Sequence, residues 1–157
     1  MAPPQNRFAV ADAERVPLGS GWADVVLSVE TSCTYPRIES FFREVARVLR
    51  VGGQFLYTDL MATELVPAFI EVLEALGLRL EHQRDITANV AASRAERAER
   101  QRLAYGKRPD SDDTAMGEFV GQDGSQLYDF LTDGKHQYTI LRFTKVAAVE
   151  PPATDPR

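Results

Sequence analysis

Little in this 157-residue chain is suited to metal or disulfide chemistry. A single cysteine, Cys33, excludes an internal disulfide and a multi-cysteine zinc site. Two histidines, His82 and His136, are too few for a histidine-rich centre, so no metal is expected. Cationic residues are outnumbered: 18 Lys and Arg stand against 23 Asp and Glu, a net charge of −5. That balance argues against nucleic-acid binding driven by bulk positive charge. No apolar run approaches the roughly 18 residues of a membrane span, and the proline-bearing start Met1-Ala2-Pro3-Pro4 lacks a signal-peptide pattern. What is present is 44% hydrophobic and 26% charged residues, enough to fill one core. The class that remains is an acidic domain of a reducing, cytoplasmic compartment.

The chain alternates short apolar runs with amphipathic stretches. Phe8–Ala11 reads as a short strand. Asp24–Val29 is a nearly continuous β-branched run, as in a strand buried on both faces. After Pro36, apolar residues at Ile38, Phe41, Phe42, Val45, Val48 and Leu49 form one helical stripe, and Gly52-Gly53 reads as its stop. Gln54–Asp59 is a second central strand. A helix over Thr63–Leu76 tolerates Pro67 only in its first turn. Leu78–Ile86 alternates like a more exposed strand. Thr87 to about Ala104 has helical spacing, Lys107–Thr114 is a loop, Gly117–Leu131 is a short helical segment, and Gln137–Val146 is a last strand. This order predicts an α/β fold: a partial doubly wound, Rossmann-like sheet, mostly parallel, with an antiparallel last strand and a helical lid insertion. The expected organisation is one domain over 1–149, a lid over about 87–131, and a disordered tail at 150–157.

In such sheets, ligands bind beyond the carboxyl ends of the strands. Three ends carry polar residues: Asp12-Ala13-Glu14, Ser28 to Tyr35, and Asp59. Singly, each reads as a turn or cap. In order and spacing, FAVADAERVPLGSGWADVVLSVE followed by FFREVARVLRVGGQFLYTD resembles the middle of a class I S-adenosylmethionine-dependent methyltransferase. The stretches Asp85–Val90 and Gly124–Tyr128 are similar to small-molecule O-methyltransferases of natural-product and lipid pathways, the phthiotriolone dimycocerosate type among them.

The resemblance implies S-adenosylmethionine as cofactor and assigns roles. Asp12 would accept the adenine amino group, the Ala13 amide would meet a ring nitrogen, and Glu14 lies beside them. Ser28, Val29 and Glu30 would line the methionine side. Cys33, Tyr35, Asp59 and Tyr128 fall on the acceptor side. Such enzymes often carry a histidine after this strand, and Cys33 stands there in Glu30-Thr31-Ser32-Cys33-Thr34-Tyr35-Pro36. A thiol titrating near about 8.5 is a poor match for a proton-accepting histidine, so no catalytic residue is assigned. Read from the residues alone, Tyr128 and Tyr138 either line an acceptor pocket or pack a helical lid against the sheet. The Arg94–Arg108 run, interleaved with Glu96 and Glu99, reads as a solvated helix face, with a phosphate-bearing substrate as the alternative. The resemblance begins at the family's third strand. Gly19-Ser20-Gly21 precedes a strand and reads as a turn rather than the family's glycine-rich cradle.

Two functions therefore stand. One is methyl transfer to a hydroxyl of a small natural-product or lipid-like acceptor. The other is an inactive remnant or partner subunit that needs another chain. In the family's strand order the Asp24–Val29 edge would lack a neighbour, so a homodimer or complementing chain covering that edge is expected. An unrelated nucleotide-binding module would need a phosphate-gripping loop and ranks last.

Overall fold

The structure, a computed structural model, describes residues 8–105 and 126–147. Its four strands, β1 (Ala23–Val29), β2 (Leu49–Ala62), β3 (Leu78–Asp85) and β4 (His136–Lys145), form one sheet in the order β1-β2-β4-β3. β1 and β2 are parallel, joined through helix α1 (Ile38–Val48); β4 runs antiparallel to both of its neighbours. The fold is thus a mixed α/β sheet with the expected antiparallel last strand. Helices α2 (Val66–Ala75), α3 (Thr87–Tyr105) and α4 (Gln126–Thr132) and two 3-10 turns, Ser32–Thr34 and Thr63–Leu65, complete the described elements.

The stripe predicted on α1 is the buried one. Phe41, Phe42 and Val45 pack inward with Phe55 and Tyr57 of β2, Leu73 of α2, Leu78 of β3, and Leu141 and Phe143 of β4, and Val48 is buried as well. The aromatics interlock: Phe42 and Tyr57 both contact Phe69 of α2, with ring centroids 4.7 and 4.8 Å away. Each large side chain so buried contributes about 1.5–3 kcal/mol. Pro67 lies in the first turn of α2, where its missing N–H has no helical partner to lose.

Several expectations need correction. Phe8–Ala11 forms no strand; Phe8 and Val10 are exposed and the local pairing is a single bridge between Asp12 and Arg15. β1 is not covered on both faces. It has β2 on one side alone among the described residues, and Val25, Leu27 and Val29 stay 51%, 67% and 47% exposed. A β-branched run encodes a strand but not how many neighbours it has. Gly52-Gly53 does not cap α1, which ends at Val48. The pair sits inside β2, where Ala23 faces Leu49 but Val25 faces Gln54, so residues 50–53 bulge out. A Cβ on Gly53 would meet Arg50 O at 2.9 Å and Asp24 O at 3.0 Å, so the close backbone approach demands glycine there.

The Lys107–Thr114 loop, most of the Gly117–Leu131 segment and the tail lie outside the described residues. His82 is an exposed strand residue facing Arg142 across the β3–β4 pair. His136 is half-buried, its Nδ1 2.7 Å from Asp133 and its ring against Phe130.

Candidate functional site

The carboxyl tips of β1 and β2 are built by a turn that folds back on itself. Ser28 is buried, and its hydroxyl lies 2.8 Å from that of Thr31. Ser32–Thr34 then form one 3-10 turn. Asp59, buried near the end of β2, holds this turn: its Oδ2 accepts the Ser32 amide at 3.2 Å and the Ser32 hydroxyl at 2.8 Å, while Oδ1 accepts the Leu60 amide at 2.9 Å. The Ser32 hydroxyl also lies 2.7 Å from the Tyr57 hydroxyl. A charged acceptor with three donors is well satisfied despite its burial. Asp59 therefore faces inward and shapes the turn that carries Cys33. Tyr35 follows, its ring 4.9 Å from Phe41.

The second part is the loop at Asp12. Asp12 Oδ1 accepts the Glu14 amide at 2.9 Å, an Asx turn, and the Arg15 amide donates to Asp12 O at 3.0 Å. Ala13 packs against the edge of the core. Both oxygens of Glu14 are taken by Arg37, just ahead of α1: Nε at 2.6 Å and the backbone amide at 3.1 Å. Glu14 thereby ties the Asp12 loop to the segment leading out of the β1 turn. Asp12 itself is exposed.

The third part was not legible as a pair. Glu30, directly after β1, has φ 50°, the one positive φ outside glycine among the described residues. Its amide donates to Thr58 O at 3.0 Å, and its Oε1 accepts the hydroxyl of Tyr138. Tyr138 is buried on β4, facing Leu60. Its phenol is held above its ordinary range, first by burial, then by the hydrogen bond and charge of Glu30 and by Asp59, with Arg94 opposing. The backbone of Tyr138 also grips the start of α3: its N–H donates to Thr87 Oγ1 at 2.7 Å and its carbonyl accepts from Ile86 at 2.8 Å. Tyr128 lies on α4, partly exposed.

These contacts bring Ser28, Val29, Glu30, Cys33, Tyr35 and Asp59 to one rim and lash the Asp12–Glu14 loop to it through Arg37. Sequence reasoning missed Ser32, Arg37 and the tie between Glu30 and Tyr138. Residues 108 positions apart leave no local pattern.

A profile of the methyltransferase domain family matches residues 2–57. With the fold described above, the chain is similar to the S-adenosylmethionine-dependent methyltransferases. Within that class it is 38% identical over 139 residues to the phthiotriol/phenolphthiotriol dimycocerosates methyltransferase of Mycobacterium tuberculosis, a match covering 88% of this chain and 52% of that protein. It is also 42% identical over 83 residues to a fatty-acid O-methyltransferase of Mycolicibacterium smegmatis, covering 53% of this chain and 30% of that protein. Geranyl diphosphate C-methyltransferase of Streptomyces coelicolor, solved with S-adenosyl-L-homocysteine, shares the fold at a TM-score of 0.62 and 16% identity, over 88% of this chain and 53% of its own. The chain spans about half the length of the curated relatives it matches.

S-adenosylmethionine is the cofactor of this class, and the residues at the rim fit part of it. Asp12 keeps Oδ2 available among the described residues, as an exocyclic amine needs. Thr58 Oγ1, beside Val29 in the β1–β2 pair, is buried without a hydrogen-bond partner, an orphan that a polar neighbour would satisfy.

Proposed function

We propose that this chain contributes to methyl transfer from S-adenosylmethionine onto an oxygen of a small lipid-like or natural-product acceptor, with a hydroxyl as the target. Bound cofactor supplies a sulfonium methyl that is already electrophilic, so the protein's work is orientation and exclusion of water. Asp12 holds the adenine amine, the Ala13 amide meets the ring, and Ser28, Val29 and Glu30 face the methionine end. Cys33, Tyr35, Asp59 and Tyr128 belong to the acceptor side, Asp59 by fixing the Ser32–Thr34 turn. The lid is the region over about 87–131, rooted at Thr87 on Tyr138. The relatives in Mycobacterium and Mycolicibacterium, named for a phthiotriol and for fatty acids, favour an apolar acceptor. The observation that carries this reading is the joining of the Asp12 loop, the β1 tip and Asp59 through Glu14–Arg37 and Ser32–Asp59.

Calorimetric titration with S-adenosylhomocysteine tests it. Micromolar affinity that falls in Asp12→Ala is expected. Absence of binding up to millimolar ligand overturns it and leaves the non-catalytic reading. Binding untouched by Asp12→Ala removes the adenine role alone.

A second reading, in which the chain works only with a partner, is favoured by the exposed Val25, Leu27 and Val29 and by the one-sided pairing of β1. Such an edge accepts a parallel strand from a second copy or a complementing chain. Sedimentation across a concentration series tests self-association, and a strictly monomeric species excludes the homodimer.

A further inference from the structure

A methyl can be placed on two chemically different oxygens, a neutral hydroxyl or an anionic carboxylate. We infer that Glu30 decides between them: with Tyr138 holding one oxygen of its carboxylate, the other is presented at the tip of β1 to accept a hydrogen bond from an acceptor hydroxyl and to repel an acceptor carboxylate. This rests on the methyltransferase reading above and names the acceptor class of the same site.

Glu30 is exposed, yet its conformation is specified from three directions. Its backbone lies at φ 50°, where side chains other than those of glycine, asparagine and aspartate are rare. Its amide is fixed on Thr58 O at 3.0 Å. Its Oε1 is engaged by a hydroxyl whose own residue, Tyr138, is 5% exposed and cannot swing away. If only a turn were needed, glycine or asparagine would supply the left-handed residue without strain. A glutamate aimed by a buried phenol is a carboxylate set in one place.

The neighbouring charges leave Glu30 as the anion that a ligand meets. Asp59 is 4% exposed and its oxygens are filled by Ser32 and Leu60. Arg94 faces the same phenol from α3 and opposes the two carboxylates; it has a partner within the protein, while its buried Nε makes no hydrogen bond, so it sits beneath the rim rather than at the exposed carboxylate of Glu30. A ligand carboxylate placed against Glu30 would set like charges side by side, which is disfavoured. A hydroxyl has a proton to donate and no charge to repel. Tyr138 is a positioning residue here, acting through Glu30 and, by its grip on Ile86 and Thr87, linking the carboxylate to the base of the lid helix.

The test compares octanol and octanoate, equal in chain length and different in headgroup, binding to the full chain at neutral pH and low salt with S-adenosylhomocysteine present. The wild-type chain should prefer octanol by about tenfold or more. In Glu30→Gln, octanoate should gain until the two differ by about twofold or less, while Glu30→Asp keeps the preference and Tyr138→Phe weakens it. Octanoate binding as tightly as octanol to wild type, a preference unmoved in Glu30→Gln, or binding of neither probe each overturns the inference. The homocysteine titration separates the two levels. Cofactor-product binding without headgroup discrimination sinks the role of Glu30 alone, whereas loss of product binding sinks the methyltransferase reading and this inference with it.

Discussion

Glu44 and Arg47, one turn apart on α1, act together as a clamp on the loop before β1. Glu44 Oε1 accepts the Val16 amide at 2.7 Å and Arg47 Nη2 at 2.6 Å, while Arg47 donates to Leu18 O at 2.9 Å and Val16 O at 3.1 Å. Glu44 is nearly buried, so these bonds are formed out of water and count for more than a surface pair. Glu44→Gln keeps the shape and removes the charge, and should cost about 1–3 kcal/mol in urea unfolding. The carboxyl of Glu44 is held below its usual value, chiefly by its hydrogen bond with Arg47 and against the cost of burial. A carboxylate depressed in the folded state contributes stability that is present above the unfolded value of about 4.5 and disappears as pH falls through the folded value. The wild-type chain should therefore lose stability on acidification below that point more steeply than Glu44→Gln. Parallel slopes for the two proteins would contradict the clamp.

Asp59 and the Ser32–Thr34 turn allow a sharper test of how the rim is held. Asp59→Ala leaves the Ser32 amide and hydroxyl without their charged acceptor, and the expected loss is about 1–3 kcal/mol. Asp59→Asn retains an acceptor and should lose less. Because Ser32 lies inside this turn, hydrogen exchange at its amide reads the turn directly. It should speed up in Asp59→Ala by more than global unfolding accounts for. An unchanged rate would mean that the turn holds without Asp59.

Much of this fold could be read from the chain because its signals are local. The α1 stripe, the proline opening α2, and the alternation of β3 and β4 all fall within a few residues of one another. What escaped depends on neighbours. The Asp24–Val29 run by itself reads as a strand buried on both faces, since apolar composition does not count pairing partners; the open edge was expected only from the family's strand order. Gly52-Gly53 follows a helix and has the look of its cap, but the constraint on it is the approach of Arg50 and Asp24 backbone. At the site, Asp12, Glu30 and Asp59 were visible through family spacing. Their couplings, Glu14 to Arg37 and Glu30 to Tyr138, join distant segments and follow from the sheet order rather than from any motif.

Gly53 gives a direct check on that backbone approach. In Gly53→Ala the new methyl meets Arg50 O at 2.9 Å, Asp24 O at 3.0 Å and Leu49 Cδ2 at 3.1 Å. Two of the three are backbone atoms that cannot rotate aside, so β1 and β2 must part locally. A loss of about 1–3 kcal/mol is expected. Gly19→Ala, which meets nothing within 4 Å, should be nearly neutral and serves as the control. Equal melting temperatures for the two variants would refute the close approach.

Lys145 and Tyr138 are both buried on β4, and each should leave a mark on stability in alkali, with opposite signs. Lys145 donates to Leu49 O at 2.7 Å and forms no ion pair among the described residues, and burial holds its pKa below the ordinary value of 10.5. A base so depressed releases its proton earlier in the folded chain than in the unfolded one. The folded state is penalised below its folded pKa, and stability grows as pH rises from there toward 10.5. Lys145→Met should flatten that rise. The Tyr138 phenol is raised, by burial first and Glu30 second, so the folded chain keeps a proton that the unfolded chain loses above its ordinary value of 10.0. Stability must then fall as pH climbs past that value, and Tyr138→Phe should lessen the fall. Tyrosinate absorbance separates the two groups: a late tyrosine ionisation should come earlier in Glu30→Gln than in wild type and be lost in Tyr138→Phe. A late-ionising tyrosine that ignores the Glu30 substitution would break the link between the two residues.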